Sequence, residues 1–193
     1  MMKLNNKKGF TLIELLAVIV ILAILLAIAI PSVSKYISNA KKSTYIVNVK
    51  EYANAAQKEL NLVDSVYNAP VNNGESILIT FASLKNTLEN GGKTSPYGGE
   101  FDENHSYILV VNEGTAAKPK YGYYIAARDT KGYAIGVEGV AKVIKSDDLK
   151  EANVVQVSGA GVDQNAAVSN LEGAPAGVQA PTNVYTSTTT PDE

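Results

Sequence analysis

Apolar residues fill every position from Leu15 to Ile30, the longest such run in the chain. Taken from Phe10, the segment of residues 10–30 would reach about 32 Å as a helix, close to the ~30 Å hydrocarbon core of a bilayer. Beyond Pro31 the pattern becomes periodic. Ile46, Val49, Ala53, Ala56, Leu60 and Val63 recur at steps of three and four, with Lys42, Lys50, Glu51, Lys58 and Glu59 on other faces. A helix from Phe10 to about Val63 follows, on the order of 80 Å long. A helix break or bend is expected at Pro31, which has no N–H for the carbonyl four residues back. The stripe suits either a coiled-coil seam or a face packed under a sheet, and its two alanines favour the sheet.

After the helix, short segments alternate with turn chemistry. Residues 68–74, Asn-Ala-Pro-Val-Asn-Asn-Gly, read as a connector. Phe81 to Asn90 reads as a short helix, with Thr80 or Ser83 as its cap and Gly91 as its stop. Strand signals cover residues 106–112, 121–128, 133–137 and 154–158, and residues 140–144 either extend the third strand or form another. Asp129-Thr130-Lys131-Gly132 is a hairpin turn, and Ser146 to Leu149 a capped helical turn. One long helix against several antiparallel strands predicts an α+β fold. From Gly159 the chain turns to Ala, Gly, Val, Ser, Thr and Pro without periodicity. Residues 159–193 are therefore expected to form a flexible or loosely packed tail, with packing of residues 166–171 left open.

Composition narrows the classes. Among 193 residues there is no Cys, which excludes disulfides and a thiol nucleophile. Net charge is −2, and removing Lys3, Lys7 and Lys8 from the 17 basic residues leaves 14 against 19 acidic ones, a balance of −5 from Phe10 onward. Arg128 is the sole arginine, so no cation cluster for nucleic acid is present.

Glu14 is the residue that does not fit a simple apolar segment. An ionised side chain at the centre of a membrane helix costs roughly 2.5–3.5 kcal/mol on insertion scales, and somewhat less near one end. The lysines ahead of the run keep the N-terminus in the cytoplasm and place everything after Pro31 on the exported side. Three fates compete: an uncut anchor, a signal peptide cut after the small-x-small triplet Ala27-Ile28-Ala29, and cleavage between Gly9 and Phe10 that leaves the apolar helix on the mature chain. The first two gain nothing from a carboxylate at this position.

Lys7-Lys8-Gly9-Phe10-Thr11-Leu12-Ile13-Glu14, the apolar run and Pro31 together resemble the prepilin signature of type IV pilins and related pseudopilins. The resemblance covers about the first quarter of the chain. It implies a leader of residues 1–9, recognition of Lys8 and Gly9 by a prepilin peptidase, cleavage between Gly9 and Phe10, and N-methylation of Phe10. Pro31 takes the place of the family's proline at the end of the membrane segment, residues 10–30. Residues 31–63 would then be the amphipathic half of the helix and residues 64–158 the head of a pilin fold. Ser95 to Gly99 resembles the Pro-aromatic-Gly turn ahead of the family's sheet. The family's usual C-terminal disulfide loop is missing, a departure familiar from Gram-positive pilins.

The resemblance also implies a partner for Glu14. The amino group exposed by cleavage, with an ordinary pKa near 7.7–8, is cationic at neutral pH. On a neighbouring subunit it can meet Glu14, and a mispaired subunit leaves a buried charge unmatched. Glu14 is thereby expected to set the register of assembly.

Elsewhere the chemistry is sparse. His105, the single histidine, stands beside Asp102, Glu103 and Asn104, a pattern that suits a solvated turn better than a metal site. The strand tyrosines Tyr107, Tyr121, Tyr123, Tyr124 and Tyr133 suit cross-strand packing better than a sugar-binding patch. No P-loop, dinucleotide fingerprint or Ser-His-Asp arrangement is found, and neither cofactor nor metal is expected. The expected function is a non-catalytic subunit of a type IV pilus serving adhesion, aggregation or twitching motility. Its expected partners are copies of itself, a prepilin peptidase and a cytoplasmic-membrane assembly machine. It would sit in that membrane as a prepilin and then in an extracellular fibre. The alternatives are a pseudopilin of a secretion or DNA-uptake system, or a membrane-anchored or secreted binding protein that does not polymerise.

Overall fold

Leucine, isoleucine and alanine dominate residues 15–30, and in the computed structural model these residues belong to helix α1, Leu12–Leu60. The structure describes residues 9–62, 65, 67–88, 94–102, 105–158 and 174–186. The chain divides into two units, residues 1–40 and 41–193, and α1 contributes to each. In the first unit no residue from 9 to 40 is buried. Its apolar window reaches a mean hydropathy of 3.2, long and apolar enough to cross a membrane. The expected break at Pro31 is not present, because α1 runs through it. Pro31 withholds one N–H from the Ala27 carbonyl, and Ser32 Oγ donates to the Ile28 carbonyl at 3.4 Å. One missing bond in a helix of 49 residues is a local weakness rather than an end.

In the second unit the periodic stripe is the packed face. Ile46, Val49, Ala53 and Ala56 are buried, joined by Tyr45, Tyr52 and Ala55, which widen it. Leu60 packs at its edge, and Val63 lies outside the described residues. These residues share one core with Ile77, Ile79, Ile108, Val110 and Ile125, so within the chain the stripe lies under a sheet. Tyr52 stacks on Phe81 with centroids 3.7 Å apart, and Tyr45 meets Phe101 edge-on at 5.4 Å. Such aromatic pairs add about 0.5–1.5 kcal/mol each beyond their buried area.

Among the described residues the main sheet has the order β10-β1-β4-β5-β8, built from Val184–Tyr185, Ser76–Thr80, Tyr107–Asn112, Tyr121–Ala126 and Ile144–Lys145. β1, β4, β5 and β8 pair antiparallel, whereas β10 joins β1 in parallel. Side chains alternate between two faces. Ile77, Ile79, Ile108, Val110 and Ile125 turn to the helix, while Leu78, Tyr107, Leu109, Val111 and Tyr124 form a second core beneath Ala174 and Val178. Both faces are therefore covered, which is why β1 and β4 are buried along their whole length. β1 was not foreseen: Ser-Ile-Leu-Ile-Thr shows no alternation because neither of its faces meets water.

A second sheet orders β7 (Val140–Ala141), β6 (Tyr133–Val137) and β9 (Val154–Gln156). Residues 140–144 thus split between β7 and the separate strand β8. The β6–β7 turn places Glu138 and Gly139 at φ of 51° and 79°, as a tight hairpin with both central residues left-handed requires. The short β2 (Thr94–Ser95) and β3 (Gly99–Glu100) flank the Pro-Tyr-Gly loop. Helix α2 is only Phe81–Leu84, with Thr80 Oγ1 accepting from Ser83 N as its cap; Gly91 lies outside the described residues. Residues 146–148 form a 3-10 turn without the expected side-chain cap.

Within the expected tail, residues 174–186 return to the head and supply β10, and none of them is buried. Residues 166–171 and the C-terminal threonine run lie outside the described residues. Removing a buried sheet residue and an exposed one separates packing from propensity. Ile108→Ala is expected to destabilise the head by about 2–5 kcal/mol, while Val137→Ala, 40% exposed, changes it by less than about 0.5. Urea unfolding of the detergent-solubilised chain followed by tyrosine fluorescence measures both.

Candidate processing and assembly site

Threonine followed three residues later by glutamate is the sequence of a capping box. The helix start has that geometry. Thr11 N donates to Glu14 Oε2 at 2.8 Å, Thr11 Oγ1 donates to the same oxygen at 2.7 Å, and Glu14 N donates back to Thr11 Oγ1 at 3.3 Å. A carboxylate here also faces the positive end of the helix dipole. The expected role of Glu14 was intermolecular only. The structure adds an internal one, and Thr11, which sequence reasoning passed over, is its partner. The signal was present in the four residues Thr-Leu-Ile-Glu.

Gly9 and Phe10 lie immediately ahead of this cap, outside the helix. Phe10 is 86% exposed, and the space around Gly9 Cα is open. A peptide bond between them is accessible and free of helical hydrogen bonds, as a peptidase substrate needs. Lys8 lies outside the described residues. The structure thus brings Gly9, Phe10, Thr11 and Glu14 together at one helix end, while Pro31 sits in mid-helix.

The remaining candidates do structural work. His105 Nδ1 lies 2.9 Å from Asp102 Oδ2, and Arg128 Nη1 is 3.7 Å from the same oxygen. Tyr107 and Tyr124 are buried in the sheet, and Tyr133 stacks on Tyr97 at 3.5 Å. Asp129, fully buried, accepts from Ser95 Oγ and from the backbone N–H of Lys131 and Tyr133, which ties the Pro-Tyr-Gly loop to the β5–β6 turn.

One polar cluster had no signature in sequence. Lys145 Nζ donates to Glu113 at 2.6 and 2.8 Å, and the Tyr124 hydroxyl donates to Glu113 Oε1 at 2.6 Å. Tyr124 and Lys145 meet because they are directly opposed across β5 and β8, a register that spacing does not reveal. Burial pushes the Glu113 carboxyl up, but the hydrogen bonds from Lys145 and Tyr124 outweigh it and hold the group below its ordinary value.

Residues 4–30 match the family model described as the prokaryotic N-terminal methylation motif. This chain carries the class III signal peptide of type IV pilins. The matched residues include Gly9, Phe10 and the whole apolar run. The motif marks the chain as a substrate of the prepilin peptidase type with a membrane-anchoring N-terminal helix. No curated protein and no solved structure matches the chain.

Two predictions follow from this geometry. Thr11→Ala removes the two bonds of the Thr11 hydroxyl, leaving the Thr11 N–H on Glu14, and is expected to cost about 1 kcal/mol at the helix start. Amide exchange of residues 12–14 in detergent micelles should quicken, with that of residues 45–56 unchanged. For Glu113, whose folded pKa is depressed, the stabilisation is complete above the unfolded value of about 4.3 and is lost as pH falls through the lower folded value. The Tm of the wild-type chain should therefore fall more steeply below about pH 4.3 than that of Glu113→Gln, measured by thermal melts from pH 7 to 3.

Proposed function

We propose that the chain is a subunit of a type IV pilus, cut between Gly9 and Phe10, N-methylated on Phe10 and polymerised through α1 into a surface fibre. The observation that carries this reading is the methylation motif laid over a helix whose apolar half has no buried residue. In water that surface is untenable, and a membrane or a bundle of like helices is what can cover it. The soluble head, with helix stripe, sheet and C-terminal segment packed together, would be displayed on the outside of the fibre. Adhesion, aggregation or motility would be functions of that displayed surface.

Glu14 supplies specificity in this scheme. Before assembly its carboxylate is satisfied within its own chain by Thr11. The Phe10 ammonium of a neighbour offers a charged donor in a site with little water, where an ionic hydrogen bond is stronger than a neutral one. Cleavage creates that ammonium, so an unprocessed subunit would lack the partner. The expected outcome is that Glu14→Gln subunits, cleaved normally, form far less sheared fibre than wild type while membrane levels stay equal. Wild-type amounts of fibre from processed Glu14→Gln subunits would overturn the assembly role.

A further inference from the structure

The β1 edge of the head is closed by a segment that arrives from the far end of the chain. Residues 174–186 run along Ser76–Thr80, with Gln179 N donating to the Gly74 carbonyl at 2.8 Å, Thr182 N to the Ser76 carbonyl at 2.9 Å and Leu78 N to the Asn183 carbonyl at 3.0 Å. Tyr185 anchors the end. Its hydroxyl accepts from Asn68 N at 2.9 Å, and its ring meets Tyr67 edge-on at 4.9 Å. Gly74, at φ of 80°, leaves room for the crossing: a Cβ there would come within 2.8 Å of the Gly177 carbonyl oxygen.

What the segment covers and what it buries of itself are unequal. Every residue of β1 is buried, whereas no residue from 174 to 186 is. Lifting it would uncover the N–H and carbonyl groups of an edge strand and the apolar face around Leu78, a combination that invites another strand. The segment is held by backbone hydrogen bonds, by the hydroxyls of Ser76, Ser83 and Thr182, by Ala174 and Val178 on the second core and by the Tyr185 ring, with no disulfide in the chain. Residues 159–173 join it to the rest of the head, a stretch that reaches up to about 50 Å when extended.

We propose that residues 174–186 exchange between neighbouring copies, the segment of one chain seating on the β1 edge of the next. Each contact made within one chain is made equally between two, so the partition is set by local concentration rather than by new bonding. Copies crowded in one membrane supply that concentration. The proposal does not rest on the fibre reading, since side-by-side anchoring is sufficient. Exchange would link heads to one another through a β-strand, by a route separate from the contacts of α1.

The test uses full chains carrying Tyr185→p-benzoylphenylalanine, which keeps an aromatic ring facing Tyr67. Isotopically light and heavy chains are mixed in detergent, co-reconstituted at high density into phosphatidylglycerol–phosphatidylethanolamine vesicles and irradiated. Cross-linked peptides joining residue 185 to residues 67–83 are then read by mass spectrometry. Full exchange predicts that about half of them pair a light with a heavy chain, and dilution in lipid lowers that fraction. Cross-links at this site only between peptides of the same isotope, at every density, would overturn the proposal, as would the absence of any cross-link to residues 67–83.

Discussion

Everything at the N-terminal end depends on one carboxylate having a hydrogen-bond donor at the head of an apolar helix. Glu14 sits where water is scarce once the helix enters a membrane, and an unpartnered charge there is costly. Within the chain the donors are the backbone and side chain of Thr11, which place Glu14 at the third helical position of a capping box. The same bonds begin helix α1 just after Phe10, leaving Gly9 and Phe10 outside the helix and open to a peptidase. Capping, the exposure of Gly9 and Phe10 and the placement of a carboxylate at the helix start are thus consequences of the same four residues.

The head follows from a different constraint. A strand buried on both faces needs two layers above and below it. The stripe of α1 provides one, and the returning segment around Ala174 and Val178 the other. This explains why the C-terminal residues cannot be treated as an appendage. It also places the strand pair Tyr124 and Lys145 at the sheet's far side, where Glu113 joins them.

Much of this was legible in sequence, and the failures have physical causes. The helix, its packed stripe and the strands at Tyr107, Tyr121, Tyr133 and Val154 were readable because one side of each differs from the other or because turns bound them. β1 was missed because Ile77, Leu78 and Ile79 are all buried, so alternation is erased. β10 was missed because two residues among Gly, Pro and Thr carry no period, and parallel pairing to a strand a hundred residues earlier has no local signature. The break expected at Pro31 gave way to a helix long enough to absorb one missing hydrogen bond. At the helix start the carboxylate of Glu14 was legible, whereas the Thr11 hydroxyl and N–H that solvate it are uncharged and do not stand out from the sequence.

Processing after Gly9 fixes where the mature chain begins. Mass spectrometry of the N-terminal peptide of the exported protein tests this directly. It predicts a chain starting at Phe10, heavier by one methyl group on its amino nitrogen, with Glu14 retained. A chain beginning near Ile30, or one still carrying Met1 through Gly9, would contradict it.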